Sequence, residues 1–213
     1  IKGMYQRAGV DLATGGSLSF IGTVSPAGGN FQEPVTQATM DATGGFWGLS
    51  QDRADAKKYP AIDPLAYTTS VYDGFISWDD RRKILATLEE ANGIDQTIST
   101  IGLKKVPVDR YVLFQKGQTI DFCILQQDAF HELDACTRPP RLAVLNDAVQ
   151  KLIDNDINFS SNGMEDEELK ELVKAKFDEL RQWWREWNCS CESEVELSRL
   201  GQKIDQFIEQ EED

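Results

Sequence analysis

Between Glu165 and Trp187 the apolar residues Leu169, Leu172, Val173, Phe177, Leu180 and Trp184 recur every three or four positions. That spacing puts them on one stripe of an α-helix more than five turns long, with charged residues around the rest. A stripe of that length cannot be left in water, so the chain must supply other helices to cover it. It does. Asp79 or Asp80 opens a segment with Ile84, Leu85 and Leu88 on one face, and Pro107 fits the first turn of a helix running through Val112, Leu113 and Phe114. Pro139-Pro140 precedes a helix carrying Leu142, Leu145, Val149, Leu152 and Ile153, and Ser160-Ser161-Asn162-Gly163 breaks the chain before the long helix. A last helix holds Leu197, Leu200, Ile204, Phe207 and Ile208.

The first part reads differently. Gly and Pro concentrate before Asp73-Gly74, and apolar and small residues alternate over Leu18 to Val24 as in a half-buried strand. Ser25 to Pro34 is a loop, and a short helix is expected over Gly48 to Lys58, ended by Pro60. Tyr59 to Pro64 forms an ordered, extended turn. The expected fold is therefore mainly α: a small β/α piece over residues 1–74, then a helical bundle over residues 75–213.

Charge removes several functions. The chain has 213 residues and a net charge of −14, whereas a nucleic-acid partner requires a basic face. No apolar run approaches the ~20 residues of a membrane span, and no signal peptide is visible. The chain begins at Ile1 with strand-like sequence close behind, so it is read as part of a longer protein. Cys123, Cys136, Cys189 and Cys191 fit neither zinc spacing nor the CxxC redox pattern, and are expected to be free thiols.

No catalytic constellation emerges. His131 is the single histidine and has no nucleophile pattern beside it, so a surface or capping role is expected. Asp79-Asp80 and Glu165 to Glu168 lie at helix starts, where negative charge suits the helix dipole. Gly15-Gly16, Gly28-Gly29 and Gly44-Gly45 lack the Lys-Ser/Thr pair that follows a phosphate-binding glycine loop. Two aromatics stand apart. Tyr59 lies in a proline-stiffened turn and Phe130 next to small Ala129, an arrangement able to stack a flat base, although most aromatics are core.

Three strings are distinctive: Tyr5-Gln6-Arg7-Ala8-Gly9, Gly28-Gly29-Asn30-Phe31-Gln32-Glu33-Pro34-Val35-Thr36-Gln37, and Leu125-Gln126-Gln127-Asp128-Ala129-Phe130-His131-Glu132. In that order, and together with Phe46-Trp47-Gly48-Leu49, which is similar to an FW-x-L helix of the same family, they resemble the catalytic A (alpha) subunits of V-type and archaeal-type rotary ATPases. The motifs span residues 5 to 145; beyond about residue 155, including Trp183, Trp184 and Trp187, no family motif is recognised. Two departures stand out. Tyr59 to Leu65 is closer to the F-type β subunit than to the usual FPAINW string, and Gly44-Gly45 interrupts what is usually a continuous apolar helix.

The resemblance implies that residues 1–74 are the end of a P-loop nucleotide-binding domain whose phosphate loop, magnesium-binding strand and catalytic glutamate lie upstream. No catalytic residue and no metal ligand is then expected here, and the isolated chain should be inactive. ATP or ADP with Mg²⁺ would bind the full-length subunit, with Tyr59, Gln127, Ala129 and Phe130 at the adenine pocket. Rotor contacts would come from Gly28, Gly29, Asn30 and Phe31 and from Lys104 and Lys105. The implied partners are B subunits in an alternating ring and central-stalk rotor subunits, with no membrane insertion. The implied location is cytoplasmic, peripheral to the membrane. A stand-alone helical interaction module without nucleotide binding is the other reading; a phosphate loop in upstream sequence would separate the two.

Overall fold

The computed structural model describes residues 2–69, 76–159, 163–190 and 194–209. The chain divides into two compact units, Ile1–Gly48 with Ala66–Tyr72, and Leu49–Leu65 with Asp73–Asp213. The expected boundary at Asp73-Gly74 lies outside the described residues.

The first unit is small and irregular. After helix α1 (Lys2–Tyr5), strands β1 (Gly9–Val10) and β2 (Ser17–Leu18) pair antiparallel, with Gly9 opposite Leu18 and Val10 opposite Ser17. Asp11 closes their turn: its carboxylate accepts from the Ala13 amide at 3.0 Å and the Thr14 hydroxyl at 2.6 Å. The strand expected over Leu18 to Val24 stops at Leu18, and Ile21 is 90% exposed. Alternation marks residues that suit a half-buried face, but a strand forms only where a neighbour completes its ladder. Beyond Leu18 the chain is held instead by an edge-to-face contact of Phe20 with Tyr5, centroids 4.9 Å apart. A Cβ on Gly22 would lie 1.9 Å from the Tyr5 hydroxyl, so a side chain there would displace the Tyr5 ring.

Helix α2 (Pro34–Met40) uses Pro34 in its first turn, where the missing amide costs nothing. Next comes β3 (Gly45–Leu49), which pairs with β4 (Ile62–Thr69), with α3 (Gln51–Asp55) between them. Two helical expectations are thereby corrected. Phe46 to Leu49 is a strand rather than a helix, and the helix expected over Gly48 to Lys58 is confined to Gln51–Asp55. The cause is local. Aromatic residues beside glycine favour an extended chain, and Ser50 supplies the helix N-cap, its hydroxyl accepting from the Arg53 amide at 3.2 Å. Gly45 begins this strand and Gly44 directly precedes it, so no helix is interrupted there.

The second unit is helical from Trp78 onward. Helix α4 (Trp78–Ile101) is capped by Ser77, whose hydroxyl accepts from the Asp80 amide at 3.0 Å. It ends at Gly102, whose φ of 84° lets the chain leave the helix. A single 3₁₀ turn, Leu103–Lys105, leads to α5 (Val108–Ile120), with Pro107 at the N-cap. Five further residues, Asp121–Leu125, extend α5 as a π turn. Then come α6 (Glu132–Ala135), α7 (Pro139–Asp154), α8 (Asp166–Ser190) and α9 (Glu194–Glu209). Helices α7, α8 and α9 fall where the periodicity places them.

Helix α5 packs against α4 and α8, and α7 against α4 and α9. At the α4–α5 crossing a Cβ on Gly117 would stand 2.3 Å from that of Ala91, so glycine permits the close approach. Ile120, Leu152, Val173, Phe177, Leu180, Trp184, Leu200 and Ile204 are fully buried and draw on all of α5, α7, α8 and α9. This is the covering that the α8 stripe demands. The architecture is a mainly α bundle after a small β/α piece, as the sequence implies. No helix among the described residues is long and apolar enough to cross a membrane.

Candidate functional site

Tyr59 lies between α3 and β4. Lys57, with φ of 57°, turns the chain out of α3, and the Lys58 amide donates to the Arg53 carbonyl at 2.8 Å. The Tyr59 ring is 54% exposed, and its hydroxyl donates weakly to the Ala54 carbonyl at 3.4 Å. Its backbone carbonyl accepts a hydrogen bond from the Gln127 amide at 2.8 Å. Segments 68 residues apart in sequence, as the Arg53–Asp121 pair also is, thus meet through the main chain.

The meeting is secured by one carboxylate. Asp121 begins the π turn and is 6% exposed. Its Oδ1 accepts from Arg53 Nη1 at 2.6 Å, and its Oδ2 from Lys58 Nζ at 2.7 Å and Gln126 Nε2 at 3.2 Å. Burial pushes this carboxyl up, but the hydrogen bonds and charges of Lys58 and Arg53 outweigh it and hold the acid below its ordinary range.

The stretch after the π turn is equally tied. The Gln126 carbonyl accepts from Arg185 at 2.9 Å. Asp134, buried, accepts the Asp128 amide at 2.6 Å and lies 3.3 Å from Arg185. Asp128 in turn accepts the Phe130 amide at 2.9 Å. Phe130 therefore stands on a constrained tight turn, with its ring 100% exposed. It lies between the end of the π turn at Leu125 and the start of α6 at Glu132. Ala129 is exposed and Gln127 half-buried on the same turn. His131 occupies the N-cap position of α6 without a capping side-chain bond.

A cleft of about 310 Å³ adjoins this region, lined by Ala56, Lys58, Gln126, Phe122 and Arg181 among others. It touches the neighbours of Tyr59 and Gln127; neither Tyr59 nor Phe130 lines it. Cys123, Cys136 and Cys189 are free thiols, and Cys191 lies outside the described residues. Burial pushes the Cys123 thiol far up, which leaves it unreactive.

The two candidate rotor-facing segments are each built distinctively. Gly28 and Gly29 form a 3₁₀ turn with φ of 62° and 70°. Asn30 Oδ1 accepts the Gln32 amide at 3.0 Å, and Phe31 meets Phe46 edge-on at 5.8 Å. In the second unit, Lys104 pairs with Glu167 of α8, while Lys170, 2% exposed, donates to the carbonyls of Leu103 and Lys104 at 3.2 and 3.3 Å. Lys105 is exposed.

Sequence reasoning missed Arg53, Lys58, Asp121, Asp134, Lys170 and Arg185. Asp121 did leave a trace: it is the one charge within Ile120 to Leu125, and a carboxylate inside an apolar run needs a cationic partner.

Residues 1–69 match the family described as "ATP synthase alpha/beta family, nucleotide-binding domain". Over 98% of its length the chain is homologous to V-type ATP synthase alpha chains: it is 32% identical over 211 residues to that of Borrelia garinii subsp. bavariensis, of which it covers 35%. It is likewise 32% identical to that of Borreliella burgdorferi (strain ZS7) over the same share, and 37% identical over 164 residues, 76% of the chain, to that of Borrelia duttonii. The likeness runs through the helices beyond residue 155, where no motif was recognisable. The chain spans about a third of the length of these relatives.

Proposed function

We propose that the chain is the C-terminal portion of the catalytic alpha subunit of a V-type rotary ATPase, in which ATP hydrolysis or synthesis is coupled to rotation and to proton or sodium transport. The proposed domains are the end of a nucleotide-binding domain over residues 1–74 and a helical domain over residues 75–213. Its own contribution is the adenine side of the nucleotide site. The hydrogen bond from Gln127 to Tyr59 carries this reading, because it joins the two segments assigned to that pocket. Tyr59 and Phe130 present exposed rings on constrained backbone, with Gln127 and Ala129 between them in sequence. A base stacked on such rings gains ~1–3 kcal/mol.

Phosphoryl transfer depends on phosphate and Mg²⁺ contacts. The Mg²⁺ ligands are assigned to the upstream part of the subunit, as the resemblance implies. B subunits in an alternating ring and central-stalk subunits are the proposed partners. The Gly28 to Phe31 and Lys104–Lys105 segments are the proposed rotor contacts, at the membrane periphery on the cytoplasmic side.

Photolabelling of the assembled enzyme with an azido-adenine nucleotide tests the pocket. Label recovered on the peptides containing Tyr59 or residues 127–130 is the expected result. Label confined to other peptides overturns the assignment.

A further inference from the structure

We infer that Asp121 is a positioning residue for the nucleobase wall, acting through Tyr59; the inference rests on the proposed adenine reading. Lys58 immediately precedes Tyr59, and Gln126 immediately precedes Gln127. Asp121 Oδ2 accepts from both Lys58 Nζ at 2.7 Å and Gln126 Nε2 at 3.2 Å, and the Gln127 amide donates to the Tyr59 carbonyl at 2.8 Å. A closed loop results, running from Asp121 through Lys58, Tyr59, Gln127 and Gln126 back to Asp121. Its last link is doubled, since the Gln126 amide also donates to the Asp121 carbonyl at 3.0 Å. Arg53 braces the same carboxylate from α3 at 2.6 Å.

Two chain segments that meet through one backbone hydrogen bond can slide or twist about it. The carboxylate removes that freedom by holding the residue before each of the bonded pair. Charge-assisted bonds of this length are stronger and geometrically narrower than neutral ones. The π turn makes the arrangement possible, because Asp121 has its side chain within reach of α3 while its own carbonyl caps the end of the helix. Asp121 itself is buried, and its side chain is bonded to Arg53, Lys58 and Gln126 rather than to a residue assigned to the pocket, so its effect on a nucleotide would be transmitted by where it sets Tyr59.

A purely structural ion pair would stabilise the bundle without any link to Tyr59, and a double-mutant comparison separates the two. Asp121→Asn, Tyr59→Ala and the combination are placed in the assembled enzyme, and KM and kcat for MgATP are measured. Each single variant is expected to raise KM about tenfold, as for loss of a charged hydrogen bond, with kcat nearly unchanged. The combination should raise it no further than Tyr59→Ala alone. A multiplied effect, or an unchanged KM in Asp121→Asn beside a raised one in Tyr59→Ala, overturns the inference.

Hydrogen exchange of the Gln127 amide in this chain gives a readout independent of nucleotide. Exchange accelerated about tenfold or more in Asp121→Asn supports the positioning role even where Tyr59→Ala leaves KM unchanged. In that case the adenine reading fails and the bracing stands. Unaltered exchange overturns the bracing. Should Asp121→Asn fail to fold, Lys58→Met, which leaves the Arg53–Asp121 pair in place, must show the same accelerated exchange for the inference to survive.

Discussion

The amide of Gln127 donates to the carbonyl of Tyr59 at 2.8 Å, joining the turn after α3 to the turn after the π segment of α5. Main-chain contact of this kind does not depend on side-chain identity. Substituting either ring should therefore remove stacking without dismantling the junction.

Tyr59→Ala and Phe130→Ala are each expected to weaken nucleotide binding in the assembled enzyme about tenfold, on the order of 1–2 kcal/mol. Turnover at saturation should change less, because a base contact is similar in ground and transition states. Steady-state kinetics decide: a wild-type KM in both variants refutes the adenine assignment.

The chain by itself should neither hydrolyse ATP nor bind it tightly. Stacking offers ~1–3 kcal/mol for the one bound base, which corresponds to millimolar affinity or weaker. Micromolar MgATP affinity in calorimetry contradicts this.

Asp121 should make stability depend on pH in the acid range. Its folded carboxyl lies below the ordinary value, so the unfolded chain takes up a proton first as pH falls. Its stabilising contribution is complete above the unfolded value of about 4 and fades as pH drops towards the folded one. Asp121→Asn should cost about 2–4 kcal/mol at pH 7, discounted from a fully buried pair because Lys58 is 32% exposed. Urea melts at pH 7 and pH 3 should show the gap between variant and parent narrowing at the lower pH; a constant gap disproves the linkage.

Lys170→Met should strand the carbonyls of Leu103 and Lys104, which the ammonium now satisfies. The expected loss is about 1–3 kcal/mol, with faster hydrogen exchange in the turn before α5. A single cysteine at Lys105, or at Asn30, should cross-link to a central-stalk subunit in at least one nucleotide state. If neither does while a control at the A–B interface does, these segments are not rotor contacts.

The bundle was legible because α7, α8 and α9 carry their burial in their spacing: Val173, Phe177, Leu180 and Trp184 line up by helical period and are all buried. The first unit was less so. Leu18 to Val24 has a strand's composition, yet pairing depends on a second segment that composition does not name. Phe46 to Leu49 shows the converse, a strand whose partner, β4, lies beyond an intervening helix. At the candidate site, type and setting single out Tyr59 and Phe130. The charged frame around them joins residues 63 to 68 positions apart, a distance at which no periodicity operates.

The π turn at Asp121–Leu125 amounts to one surplus residue carried at the end of α5. Deleting a single residue there would let the segment rewind as ordinary α-helix. Everything that follows would then be indexed about 100° round the axis. Such a deletion would leave composition and charge almost untouched, yet Gln126 and Gln127 would be dialled away from Lys58 and Tyr59. Length at this point of the chain acts as a phase setting, and natural variants that gain or lose a residue there should retune the pocket without altering any side chain in it.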